Sequence, residues 1–129
     1  MSAPYEKLAA WQLCHELALR CRSFTKGWAK EDGWLVSQIR CASVSAAANL
    51  VEGCTKKGSR EFRRYLDIAL GSLAELEYAF RFVGDANIKN AALWEEIKLL
   101  RNRPHGTTRL LSNAICWRID SQKLAGKRG

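Results

Sequence analysis

From position 62 the apolar residues recur in alternating steps of four and three: Phe62, Leu66, Ala69, Leu73, Leu76, Phe80 and Val83. That spacing gathers them on one stripe of an α-helix, in the manner of a bundle seam. Ser59 stands where an N-cap is expected, Glu61 and Glu75 favour the helix, and Gly84 follows the last apolar residue. The pattern therefore predicts a third helix over Ser59–Gly84. Upstream, Leu35, Ile39, Ala42, Ala46, Leu50 and Gly53 share one face of a second helix, predicted over Asp32–Gly53 with Asp32 as its N-cap. Ser43, Ser45, Ala47 and Ala48 lie between them, and such small residues let a neighbouring backbone come close. The link Cys54-Thr55-Lys56-Lys57-Gly58 is short, so Leu35–Glu77 reads as an antiparallel helical hairpin.

A first helix is predicted over Pro4–Lys30. Pro4 is tolerated in a first turn, and Trp11, Cys14, Ala18, Cys21 and Trp28 share a face with Leu8, Leu17 and Phe24 beside it. Gly27 and the run Glu31-Asp32-Gly33 signal its stop. After the turn Asp85-Ala86-Asn87, Leu93, Ile97 and Leu100 begin a fourth helix. Pro104 should kink or break it, because proline removes a helical hydrogen bond. Leu111, Ala114, Ile115 and Ile119 resume the helical spacing. No stretch reads as a strand. The expected architecture is all-α, an antiparallel up-down-up-down four-helix bundle over residues 1–121, with a polar, basic tail over 122–129 that should fray.

The 129 residues are 47% hydrophobic, which suits one domain with a real core. No run of about 18 apolar residues is present, so no membrane span is predicted. The opening Met1-Ser2-Ala3-Pro4-Tyr5-Glu6-Lys7 lacks the basic-then-apolar form of a signal peptide. The five cysteines, Cys14, Cys21, Cys41, Cys54 and Cys116, form no C-x-x-C pair. Reduced thiols and a cytoplasmic location are the simplest reading. Net charge is +8, with the largest excess beyond Gly84. Such an excess permits attraction to nucleic acid, though a solvated basic surface without a partner is an equal alternative.

Two linked motifs carry a resemblance. The first is Gln38-Ile39-Arg40-x-Ala42-x-x-Ser45-x-x-x-Asn49-x-x-Glu52-Gly53. The second is Glu61-Phe62-x-x-Tyr65-Leu66-x-x-Ala69-x-Gly71-Ser72-x-x-Glu75-Leu76; an opening Leu8-x-x-Trp11 accompanies them. Together they resemble the bacterial four-helix-bundle family whose founding members are encoded in intervening sequences of 23S ribosomal RNA genes. The likeness covers roughly residues 5–120. It implies an up-down-up-down bundle and a homopentamer, a ring of five bundles. A more distant relative, the accessory variability determinant of diversity-generating retroelements, is a basic pentamer that binds nucleic acid and a partner reverse transcriptase. For most of the family no biochemical function is assigned. The segment Pro104-His105-Gly106 departs from the family pattern.

Candidate chemistry is sparse. Asn49 and Glu52 are neighbours on one helix, as are Ser72 and Glu75 on the next. With Arg40 supplying charge, these five form a candidate structural polar network that fixes helix register, since an unpaired buried polar group costs about 1–3 kcal/mol. A ligand or catalytic site is the lesser reading. No E-x-x-H occurs, as a di-iron bundle would need, and His15-Glu16 lacks a second histidine because position 19 is leucine. His15 reads as a helix-surface residue and His105 as loop or surface. No metal, cofactor or phosphate loop is predicted.

The strongest functional lead is basic. Lys56, Lys57, Arg60, Arg63 and Arg64 fall within nine residues, and Arg101 and Arg103, with Arg109, cluster at the predicted kink. These seven, Lys56, Lys57, Arg60, Arg63, Arg64, Arg101 and Arg103, are the candidate nucleic-acid-binding residues. Without a base-reading motif, their binding should be weakly sequence-specific and salt-sensitive. Trp34, Trp94 and Trp117 fall outside the clean stripes and read as subunit contacts or core. The expected protein is a non-enzymatic, oligomeric bundle binding nucleic acid or a nucleic-acid enzyme. The alternatives are a protein scaffold without nucleic-acid binding and, less favoured, a small-molecule-binding bundle.

Overall fold

The computed structural model describes residues 4–88. Three α-helices dominate them: α1 (Ala9–Phe24), α2 (Gly33–Gly53) and α3 (Ser59–Asp85). The described residues contain no strand. The predicted fourth helix, its kink at Pro104, the tail and the tryptophans Trp94 and Trp117 lie outside them.

The α3 stripe is buried as its spacing requires, from Phe62 through Val83, with Ser72 and Ala79 added. On α2, Leu35, Ile39, Ala42, Ala46, Leu50 and Gly53 all turn inward. The core of α1 is Ala10, Cys14, Leu17, Cys21 and Phe24, again in steps of four and three. Trp11 and Trp28 only flank it. Phe24 and Phe80 meet edge to face with centroids 6.1 Å apart, tying α1 to α3. Burial in this core pushes the Cys14 thiol up to about 11 and the Cys21 thiol up to about 12, the latter despite a hydrogen bond with Ser43.

The helix ends depart from the sequence expectation. The first helix is not continuous from Pro4 to Lys30. Pro4–Lys7 is a 3-10 turn, Leu8 is extended, and α1 then ends at Phe24. Gly27 at φ +74° turns the chain away, and the Trp28 indole N–H caps the Phe24 carbonyl at 2.9 Å. Asp32 does not cap α2 with its side chain. It closes a 3-10 turn, Lys30–Asp32, that runs straight into the helix. Ser59 is the first residue of α3 and not its N-cap. Gly58 holds that place at φ +91° and ψ 151°, a conformation that belongs almost entirely to glycine. Gly84 is still inside the helix. Asn87 at φ +53° takes the left-handed position, with Ile88 N–H bonded to Val83 O and Asn87 N–H to Gly84 O. That pair of bonds is a Schellman motif, and Ile88 packs on the core as the motif favours.

The α2–α3 hairpin is antiparallel and close. A Cβ on Gly53 would stand 3.0 Å from the Cβ of Tyr65, so the glycine permits the approach. Ser45 lies opposite Ser72 further along, at 3.0 Å between hydroxyls. This register sets the heights of every residue discussed below.

Candidate nucleic-acid interface

The hairpin turn and the first two turns of α3 present the basic residues. Three backbone bonds close the turn: Cys54 N–H to Leu50 O, Thr55 N–H to Glu52 O, and Lys56 N–H to Gly53 O. The Thr55 hydroxyl also donates to Glu52 O at 2.7 Å. The turn thus continues α2 in a tightening spiral until Gly58 releases it. Steps of three and four then bring Arg60, Arg63 and Arg64 onto the solvent side of α3, opposite Phe62 and Leu66 in the core.

Lys56 differs from the other four cations. Its Nζ lies 3.9 Å from Glu52 Oε1 and 5.3 Å from the centre of the Tyr65 ring. The Tyr65 hydroxyl donates to the same carboxylate oxygen at 3.3 Å, and the Arg64 guanidinium stands 6.0 Å from that ring. Lys56 is therefore partly neutralised and half-buried. Lys57, Arg60, Arg63 and Arg64 are exposed, and no ion pair among the described residues involves them. Two more features favour anions here. The α3 N-terminus receives no side-chain cap, and the positive end of the helix dipole falls there. Arg101 and Arg103 lie outside the described residues.

Tyr65 was not singled out as a site residue by the spacing of charges, which is blind to a ring that organises them. The pair Glu52 and Lys56, four apart, was the available signal.

The residues proposed for the polar network fall into four places. Asn49 and Ser72 meet through Ser45: Asn49 Nδ2 donates to Ser45 O at 2.8 Å and to Ser45 Oγ at 3.2 Å. Ser45 was absent from the five candidates, although its spacing of four from Asn49 marked it. Glu52 belongs to the basic turn. Arg40 and Asn49 are nine residues apart, half a rotation on a helix, so they face opposite neighbours. Arg40 Nε donates to Thr25 Oγ1 at 2.8 Å and Nη2 approaches Arg22 O at 3.4 Å, fastening α2 to the end of α1. Glu75 is exposed and lines a groove with Ala42 and Gln38. His15 stacks on Trp11 at the surface, with centroids 4.8 Å apart. Among the described residues no three His, Cys, Asp or Glu are grouped to hold a metal, and no helix is long and apolar enough to cross a membrane.

The fold has a solved counterpart. A protein of unknown function from the S23 ribosomal protein family of Bacteroides thetaiotaomicron VPI-5482 superposes with a TM-score of 0.72. The two are 22% identical, over 82% of this chain and 94% of the other. No curated protein matches. The model of the 23S rRNA-intervening sequence protein family matches residues 6–105, which span all three described helices, and the chain belongs to that family.

Proposed function

We propose that the chain is a non-enzymatic, self-associating helical module that binds nucleic acid, or an enzyme acting on nucleic acid, through the basic start of α3. The observation that carries this reading is the unneutralised group Lys57, Arg60, Arg63 and Arg64 around an uncapped helix N-terminus. Four phosphate contacts per copy would give single-strand binding a salt slope of about −3 in log K against log salt. A ring of five bundles would multiply weak contacts into useful affinity. Arg101 and Arg103 are proposed to add phosphate contacts of their own, and a reverse transcriptase is a candidate enzyme partner.

Fluorescence anisotropy with labelled single-stranded RNA and DNA, across a salt series, tests it. The triple variant Arg60→Glu/Arg63→Glu/Arg64→Glu should lose binding at low salt while keeping its helicity and its mass in solution. Unchanged retention by that variant would remove the assignment. A second reading, a protein scaffold, draws on the exposed Trp34, Val44 and Tyr78. It predicts a salt-resistant protein complex that survives nuclease.

A further inference from the structure

The 21 residues of α2 include two charged ones, Arg40 and Glu52. A helix at the surface of a monomer normally turns a charged face to water. From Trp34 to Ala48 the exposed residues of α2 are instead the uncharged Trp34, Ser37, Gln38, Cys41, Val44 and Ala48, and the charge of Glu52 comes only at the hairpin end. The flanks of this face differ in charge. Toward α1, Leu19 and Val44 border a groove whose ionic groups are Arg22 and Arg40, with His15 at its end. Toward α3, Trp34, Tyr78 and Phe82 border a groove whose ionic group is Glu75. No ion pair among the described residues involves Arg22, Arg40 or Glu75, and both hydrogen bonds of Arg40 go to neutral oxygens.

The register places these charges at one height. Ser45 opposite Ser72 puts Ala42, three residues back, beside Glu75, and both line the same groove. On the other flank, Arg40 reaches Arg22 and Thr25. The cationic and anionic edges therefore stand level along the bundle, separated by the width of α2. Above Glu75 on the same stripe of α3 lie Gly71 and Ile68, both exposed, Ile68 by 42%. A Cβ on Gly71 would meet nothing within 4 Å. A glycine in mid-helix weakens the helix, and among the described residues it gains no packing in return. It leaves a notch between Ile68 and Glu75, at the height of Leu19 and Val44.

We infer that the two flanks of α2 join successive copies of this chain head to tail. The Arg22–Arg40 edge of one copy lies against Glu75 of the next, with Leu19 and Val44 seated over Gly71 beside Ile68. This rests on the self-association proposed above and names its surfaces. The two edges are different patches, so the contact is heterologous. Because they stand level, successive copies are related by rotation with little rise, which closes a ring instead of extending a filament.

Two variants test the pairing by light scattering at matched concentration, with helicity checked by circular dichroism. Leu19→Glu/Val44→Glu blocks the cationic edge; Ile68→Glu/Gly71→Glu blocks the anionic edge. All four positions are exposed, and the blocked edges repel each other in a mixture. Each variant alone should be monomeric, and an equimolar mixture should form a one-to-one dimer and stop there. A third variant, Gly71→Gln, should strengthen the helix and yet lose the assembly. Either double variant assembling like the unaltered chain, Gly71→Gln doing so, or a mixture that stays monomeric overturns the inference while leaving self-association intact. A monomeric unaltered chain overturns both.

Discussion

The contact between Arg40 and Thr25 has a measurable coupling energy. Thr25 is buried, and its hydroxyl donates to Cys21 O at 2.7 Å while accepting from Arg40 Nε at 2.8 Å. Thr25→Val keeps the side chain's shape and removes both bonds, along with the weaker branch of the hydroxyl to Arg22 O at 3.3 Å, a carbonyl that keeps Arg40 Nη2. The Cys21 carbonyl keeps the Thr25 N–H at 3.1 Å, so no carbonyl is orphaned. The loss falls on the guanidinium, which then faces a methyl group. A hydrogen bond to a charged group contributes about 1.5–3 kcal/mol. Arg40 is half-buried, and water reaching it reduces this to about 1–2 kcal/mol. Arg40→Met keeps the apolar stem and removes the charge, at a similar cost. The two losses share one bond, so the double variant should be about 1 kcal/mol more stable than their sum. Urea unfolding at one fixed subunit concentration gives all four stabilities, the fixed concentration removing any mass-action difference. Additivity within about 0.5 kcal/mol would show that Arg40 does not fasten α1 to α2 through Thr25.

Other expectations follow from single positions. Gly53→Ala should lower stability by about 1 kcal/mol despite alanine's better helix propensity, because Tyr65 Cβ is fixed to the α3 backbone; a raised melting temperature refutes the close approach. Gly58→Ala should cost about 1–3 kcal/mol in thermal unfolding, since its φ of +91° with extended ψ suits only glycine. The raised Cys14 and Cys21 thiols keep their protons in the folded chain after the unfolded chain has lost them. Their contribution is thus complete below pH 9 and declines as pH rises toward about 11 and 12, by up to about 1.4 kcal/mol per pH unit per thiol. Denaturant curves from pH 8 to 10.5 check this, and Cys14→Ala should flatten the profile. With a thiol reagent at pH 8, exposed Cys41 should react first among the thiols of the described residues, and Cys14 and Cys21 only on unfolding.

The hydrophobic stripes of α2 and α3 were legible because one pattern of four and three fixes both helix and face. The α1 stripe was read one notch off. Cys14 and Cys21 do lie in the seam with Leu17 and Phe24, but Trp11 and Trp28, bulky enough to suggest a core, only flank it, and the small Ala10 takes the remaining place. Helix ends were the weakest reading. Ser59 and Asp32 are good caps by residue type, yet backbone geometry chose Gly58 for one place and a 3-10 turn for the other. The basic cluster was visible as composition. Its division into one partly neutralised lysine and four cations outside any ion pair was not, because that depends on Tyr65 crossing from α3 to Glu52 on α2. The split of Arg40 from Asn49 was available in the nine-residue spacing, which places them on opposite sides of α2.

The two proposed surfaces are centred at different heights of the molecule and adjoin only at Arg64 and Ile68, and this decides how they would work together. The basic group sits at the hairpin end, where α2 stops and α3 starts. The level charges of the flanks lie about three helical turns below, since Glu75 is eleven residues from Arg64 and the rise is about 1.5 Å per residue, while the apolar end of the anionic edge reaches up to Ile68, one turn from Arg64. Assembly through the flanks would leave the hairpin ends free and carry them all to the same end of a ring. One copy then offers only a few phosphate contacts, while the ring offers a continuous cationic rim. Binding strength should therefore depend on assembly even when no basic residue is changed. The Leu19→Glu/Val44→Glu monomer, whose changes lie away from the basic turn, should keep the salt slope per copy but bind a long strand at least tenfold more weakly than the ring does. Equal affinity for long and short strands, in ring and monomer alike, would separate the two surfaces functionally and leave the basic turn to act alone.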